Sequence, residues 1–385
     1  MSETVGTATV TPLHAPPPGA GRLIGLDLAR GLAVFGMFAA HLGPDPEVGG
    51  PVGAAMRLAH GRASALFAVL AGCALVLLAG RRPRTGRDAR QAAARIAVRA
   101  ALLIALGTAL DALDPPISLI LTAYGAYFLL ALPLLRLPGP VLAGLAAAWA
   151  LLGPQLSYAL RTSGTADLLP HRLADPLLTG AYPAATWMPF VLAGMALVRL
   201  DPSRVIVRRR AAAVGTGLLA LGYGGSWLVL RLLGDQVAGD AVRAGEGEGA
   251  VGPGDPVGLL GAAPHSGTSF EVLGAVGFAL LVVAGCLELT GRLAVAASGS
   301  VTVAAAGVAV AGVAAVGRMS LTAYVGHIGV VVLLAIELDP GPSLPLLAAF
   351  VAGALAVAGL WTARFARGPL EALMHGATGV ARLVP

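Results

Sequence analysis

Apolar runs of about twenty residues recur along the whole chain, the length an α-helix needs to cross a bilayer. Short stretches rich in arginine, proline, glycine or aspartate separate them. Backbone inside lipid has no water to bond, so such runs predict helices that satisfy their own N–H and C=O groups. The pattern predicts an all-α polytopic membrane protein with ten spans, over 23–43, 63–80, 96–113, 117–135, 140–159, 184–200, 211–233, 268–289, 314–336 and 344–363. An eleventh apolar segment, 297–317 ("ASGSVTVAAAGVAVAGVAAVG"), is expected to be a loop or surface helix. Counting it as a span would move the arginines after residue 363 to the side opposite the other basic loops.

Composition agrees with this reading. Of 385 residues, 57% are hydrophobic and only 12% are charged, against about 25% in soluble domains. The net charge of +6 rests on arginine alone, and the arginines gather between apolar runs. Seven lie in "RRPRTGRDARQAAARIAVR" and five in "RLDPSRVIVRRR", with Arg364, Arg367 and Arg382 after the tenth span. That grouping marks cytoplasmic loops rather than a nucleic-acid surface, and an even number of spans puts both termini in the cytoplasm. Residues 1–21 are expected to form a disordered cytoplasmic leader, 22–375 the membrane domain, and 376–385 a short cytoplasmic tail. The connection 234–266, with nine glycines, is read as a mobile external loop. A lysine-free chain rich in Ala, Gly and Pro suits a GC-rich bacterial genome, and hence the bacterial cytoplasmic membrane. Cys73 and Cys286 lie inside apolar runs as small hydrophobes and imply no disulfide framework.

The chemistry starts in "GLDLARGLAVFGMFAAHLGPD". Arg30 and His41 are eleven residues apart, so they share one helix face and stand roughly 16 Å apart along the axis. Asp27 is one turn from Arg30 and can pair with it, while Asp45 follows His41. One face therefore holds a cation at the inner end and a titratable base at the outer end. Topology also sends His60, His171, His265 and His327 toward the exterior, His327 at membrane depth, where an ionisable residue points to function. His171 reads as an ordinary loop residue. No HxxxH, HxxE or CxxC spacing appears, so no metal site is predicted, and no G-x-S-x-G or phosphate-cradling glycine motif occurs.

"RLIGLDLARGLAVFGMFAAH" resembles the first span of two groups of multipass membrane acyltransferases. One is the heparan-alpha-glucosaminide N-acetyltransferase-like family. The other is the acyltransferase-three superfamily, typified by an arginine, ten intervening residues and a histidine, as at Arg30 and His41. "GRASALFAVLAG", "YPAATWMPFVLAGMALVR", "PHSGTSFEVLG", "GRMSLTAYVGH" and "RGPLEALMH" also look like bacterial members of the first group, so the resemblance covers nearly the whole chain. It implies transfer of an acyl group, usually acetyl, from cytoplasmic acyl-CoA to an external acceptor such as a sugar or glycan. In the aminosugar-acetylating members a histidine near the start of the second span is held responsible, and His60 is the nearest match, over a shorter following segment.

On this reading His41 is the general base, with Asp45 or His60 orienting it or polarising the acceptor. Arg30 and Arg318 face acyl-CoA, Asp27 orients Arg30, and Arg62, His265 and His327 serve the acceptor side. The competing class is a proton-coupled transporter. The paired repeats with matching broken helices that transporters often carry are not found: Pro133, Pro183 and Pro189 do not recur at corresponding places.

Overall fold

The computed structural model describes residues 23–244, 249–254, 256–296, 301–335 and 342–385, and among these every regular element is a helix. The first half comprises α1 (Ile24–Leu42), α2 (Gly50–Ala59), α3 (Arg62–Ala79), α4 (Gly86–Asp111), α5 (Leu121–Ala131), α6 (Gly139–Thr162), α7 (His171–Ala174) and α8 (Ala184–Arg199). The second comprises α9 (Val205–Leu219), α10 (Gly225–Leu233), α11 (Asp235–Ala244), α12 (Ser269–Ala296), α13 (Val301–Arg318), α14 (Ser320–Ala335), α15 (Leu344–Thr362) and α16 (Pro369–Ala377). Seven of these segments are long and apolar enough to cross a membrane, and up to nine if each of two bent pairs counts as one span.

Burial separates a core from a rim. α8 is buried along almost its entire length and packs between α3 and α6, while α1 and α12 complete the centre. The long faces of α15 and of α9 with α10 stay exposed, as lipid-facing helices must. Between helices in lipid there is no hydrophobic driving force, so close packing depends on small residues. The α3–α8 crossing illustrates this: Gly72 sits against the Val191 carbonyl and Gly194 against the Val69 carbonyl, with no room for a methyl group at either.

All ten predicted segments are helical over their described residues, two of them not as a single full-length helix, and the extra apolar segment also differs from expectation. The 117–135 span is an eleven-residue α5 followed by a 3-10 turn, Leu132–Arg136, shorter than a full crossing. The 314–336 span is not one helix: α13 and α14 meet at a 78° bend around Met319. The segment expected as a loop or surface helix, 297–317, is α13 over its described part, and it packs along α1, Gly31 against Val313 and Gly317 against the Asp27 carbonyl.

The connection 234–266 was expected to be loose, and its described residues are folded. It carries α11 and a 3-10 turn, Pro256–Leu260. The Thr186 hydroxyl donates to the Gly249 carbonyl (3.1 Å), the Gly249 N–H donates to the His265 carbonyl (2.8 Å), and Arg161 donates to the Val251 carbonyl. The leader 1–21 lies outside the described residues.

Candidate functional site

α1 carries polar chemistry at both ends, and neighbouring helices complete each one. At its first turn Asp27 is buried, and Arg30 donates to its carboxylate at 3.2 Å. Around this pair is a 240 Å³ pocket whose charged lining residues are Asp27, Arg30, Arg99, Arg318 and Glu371. Arg99 comes from α4, Arg318 from the end of α13 and Glu371 from α16. Glu371 is committed to structure: its carboxylate accepts the Leu321 and Thr322 N–H groups (2.8 and 3.2 Å) and the Thr322 hydroxyl (2.6 Å), capping α14. Arg318 donates to the Ala366 carbonyl at 3.0 Å. Three guanidinium groups against two carboxylates leave this pocket with an excess of positive charge suited to phosphate groups.

At the other end His41 Nδ1 and His327 Nε2 lie 3.1 Å apart, a hydrogen bond between helices 286 residues apart in sequence. The two rings are nearly parallel, 12° between planes, and Phe38 and Tyr324 flank His327 at 4.9 and 5.3 Å between ring centroids. His41 lines a 30 Å³ cavity together with Ser64, Tyr182, His265 and Tyr324. His265 adopts a left-handed backbone (φ +62°) and is held between Trp187 and Tyr182, ring centroids 5.9 and 5.7 Å away. A non-glycine residue in that conformation costs energy that its surroundings must supply, a feature common at functional sites.

An aromatic layer divides the two ends. Phe67 stacks on Tyr124 (5.7 Å) and on Tyr324 (6.3 Å); the first two line the arginine pocket and Tyr324 lines the histidine cavity. The Tyr324 hydroxyl accepts the Ile120 N–H at 3.3 Å, tying the layer to the segment before α5.

The expected site residues are distributed unevenly over this arrangement. Asp27, Arg30 and Arg318 meet in one pocket, and His41, His265 and His327 meet at the opposite end. The structure does not join Asp45 to His41 by a hydrogen bond: its carboxylate accepts the Glu47 N–H at 2.7 Å and starts the short turn Pro46–Val48. The ring next to His41 is His327 instead. His60 ends α2 and has a buried Nδ1 without a hydrogen-bond partner, but only its neighbours Ala59 and Gly61 line the cavity. Arg62 is likewise off the cavity wall, donating to the Tyr223 hydroxyl (3.2 Å) and the Arg57 carbonyl (2.7 Å), with its guanidinium 4.6 Å from the Tyr223 ring centroid. Arg99 was missed, being read as the last arginine of a basic loop. Its signal is its place four residues after Arg95, inside the apolar register of α4. Glu271, buried in the first turn of α12, was also missed, because a single carboxylate beside Ser and Thr reads as helix capping. Among the described residues no group of three His, Cys, Asp or Glu side chains is placed to hold a metal ion.

Two family models match the chain. The model of the heparan-alpha-glucosaminide N-acetyltransferase catalytic region covers residues 22–221, and that of a protein of unknown function (DUF418) covers residues 256–381. His41 lies in the first and His265 and His327 in the second, so the histidine end draws on both. No curated protein and no solved structure matches. Matched over more than half its length, the chain belongs to the heparan-alpha-glucosaminide N-acetyltransferase catalytic family, a family of membrane acetyltransferases.

Proposed function

We propose that this protein, through its membrane domain 22–375, transfers an acyl group, acetyl first of all, from acyl-CoA to an amine or hydroxyl acceptor across the helix bundle. The observation that carries this reading is the polarity of α1: a cation-rich pocket around Arg30 at one end, a bonded histidine pair at the other. The arginine-rich connections support a cytoplasmic Arg30 end, and the reading puts both termini on that side. CoA phosphates bind to Arg30, Arg99 and Arg318, and the acyl-pantetheine arm passes the Phe67–Tyr124–Tyr324 layer to reach His41. There the acceptor attacks the thioester carbonyl, the C–S bond breaks, and the His41–His327 pair moves the acceptor's proton toward the departing sulfur. The setting is the bacterial cytoplasmic membrane, with the acceptor, by family a sugar or glycan, arriving at the histidine end.

The test is release of free CoA thiol from acetyl-CoA by the purified, detergent-solubilised protein over a panel of amines and alcohols. His41→Ala is expected to lower acceptor-dependent release by about 10²- to 10⁴-fold, the usual contribution of a general base. Equal rates in His41→Ala and the parent would remove His41 from the chemistry. A folded protein that neither binds acetyl-CoA nor turns it over against any acceptor would sink the enzyme reading and revive transport.

A further inference from the structure

The arginine end holds a second pocket, which shares no lining residue with the one around Arg30. It measures 330 Å³, within the roughly 300–1,000 Å³ of ordinary small-molecule sites. The end of α3, the first turns of α4 and the 3-10 turn after α5 wall it, with alanines on the helices and Leu132, Pro133 and Leu135 on the turn. Its charged lining residues are Arg84, Arg136 and Arg199, and among the described residues no carboxylate lines it. Arg199 is fixed by carbonyls: it donates to Gly80 (2.9 Å) and Arg81 (2.5 Å) at the end of α3 and to Leu135 in the turn. Carbonyls orient a guanidinium but bring no countercharge, and the Arg199 Nε is buried without a hydrogen bond. Arg84 folds back over the end of α3, where Gly80 (φ +97°) has no side chain; a Cβ there would stand 3.0 Å from the Arg84 Nε. Among the described residues neither Arg84 nor Arg136 makes an ion pair or a side-chain hydrogen bond. Asp201 is committed to Arg81 (3.3 Å) and to the Ser203 hydroxyl (2.5 Å), and Asp88, on the first turn of α4, is exposed and off the wall.

We infer that this pocket is a second anion site and takes a phosphate ester, its phosphate on Arg84, Arg136 and Arg199 and its organic part against the Leu132–Leu135 turn. Retention of positive charge at one side of a membrane asks for arginines in these connections, but not for a walled space that gathers three of them. Like charges around one cavity repel, and a phosphate relieves that repulsion while its oxygens match the guanidinium forks. The apolar wall continues onto the lipid-facing surface, since Leu129 and Leu130, one turn earlier on α5, are 43% and 40% exposed. Two sources present this chemistry here: the headgroup of an acidic phospholipid, arriving along that face, and a soluble phosphate ester. The site stands apart from the acyl-transfer reading, because none of its residues belongs to the Arg30 pocket or to the histidine cavity.

The test uses the full chain in detergent, titrated with phosphatidylglycerol, with phosphatidylcholine of the same chains and with glycerol phosphate, the bound molecules being counted by native mass spectrometry. The double variant Arg84→Gln/Arg136→Gln removes two cations that hold no other described residue. Arg199 stays in place, since its carbonyl bonds tie α3 to the turn. Phosphatidylglycerol is expected to bind ahead of phosphatidylcholine, and the double variant to weaken it by about 10- to 30-fold. Arg364→Gln/Arg367→Gln removes the same charge from two exposed arginines off the pocket and should leave that affinity unchanged. Lipid binding that depends on Arg84 and Arg136 and that glycerol phosphate does not displace assigns the site to a phospholipid headgroup. Glycerol phosphate binding that is lost in the double variant, with no preference for the acidic lipid, assigns it to a soluble ester. Affinities for both probes equal in the parent and in Arg84→Gln/Arg136→Gln overturn the inference. So does an equal fall in the two double variants, which would reduce the pocket to general positive charge.

Discussion

Arg99 shows what a single side chain contributes. Its guanidinium stands thirteen residues into α4, on the wall of the pocket that holds Asp27, Arg30 and Arg318. A plain anchor would not sit so deep, since arginines near helix ends reach water by extending their stems. If its role is to hold a CoA phosphate, Arg99→Ala removes a charge-assisted bond worth about 1.5–3 kcal/mol. The KM for acetyl-CoA should then rise roughly 10- to 100-fold with kcat nearly unchanged, the signature of binding lost equally in ground and transition states. Arg99→Lys should recover part of the loss, because a point charge remains without the fork. A fall in kcat at constant KM would move Arg99 out of the donor site. The Arg30–His41 spacing was readable because both residues lie on one helix and eleven steps return to the same face. The company each keeps was not: Arg99, Arg318 and His327 come from distant helices, and no local periodicity reports a contact across 286 residues.

Among elements, the α3–α8 crossing sets how closely the core can pack. Gly194 and the Val69 carbonyl touch where the helices cross, with no space for a Cβ. Gly194→Ala should therefore cost about 1–3 kcal/mol of overpacking and lower the thermal midpoint in detergent. Gly217→Ala, on α9 with open space at its Cβ, is the matched control. It should hold the midpoint or raise it slightly, since alanine restricts the unfolded chain and favours the helix. Equal losses in both would show that the tight contact is not what the bundle depends on. The α13–α14 break shows the opposite limit of sequence reasoning. Window hydropathy sees 314–336 as one apolar stretch, but α14 starts anew at Ser320, capped by Glu371 from fifty residues downstream. That cap and the 78° bend are tertiary facts, and hydrophobic length cannot report them. The long apolar helices were legible for the converse reason: lipid demands a local property, a continuous apolar run, wherever a helix crosses.

For the molecule as a whole the question is which end faces the cytoplasm. Three basic segments far apart in sequence converge on the Arg30 end. Arg199 donates to the Gly80 and Arg81 carbonyls (2.9 and 2.5 Å), Arg81 pairs with Asp201 (3.3 Å), and Arg90 reaches the Pro385 carbonyl (2.8 Å). In that surface loop the Ser203 hydroxyl, helped by the Ser203 N–H and Arg81, holds the Asp201 carboxyl below the usual carboxylate range. The 163–183 connection lies at the other end, where Tyr182 lines the histidine cavity. The proposed reading puts the arginine end in the cytoplasm, where positive charge is retained and acyl-CoA would be supplied. Cysteine accessibility tests this directly, because Cys73 and Cys286 are both buried and leave a quiet background. Leu168→Cys, at a position 83% exposed, should react with a membrane-impermeant maleimide on intact cells. Arg84→Cys, in the first basic connection, should react only after the membrane is opened. The reverse pattern would put the cation pocket outside, away from any pool of acyl-CoA. The direction of transfer along α1 would then have to be given up even if the protein released CoA thiol in detergent, where sidedness no longer matters.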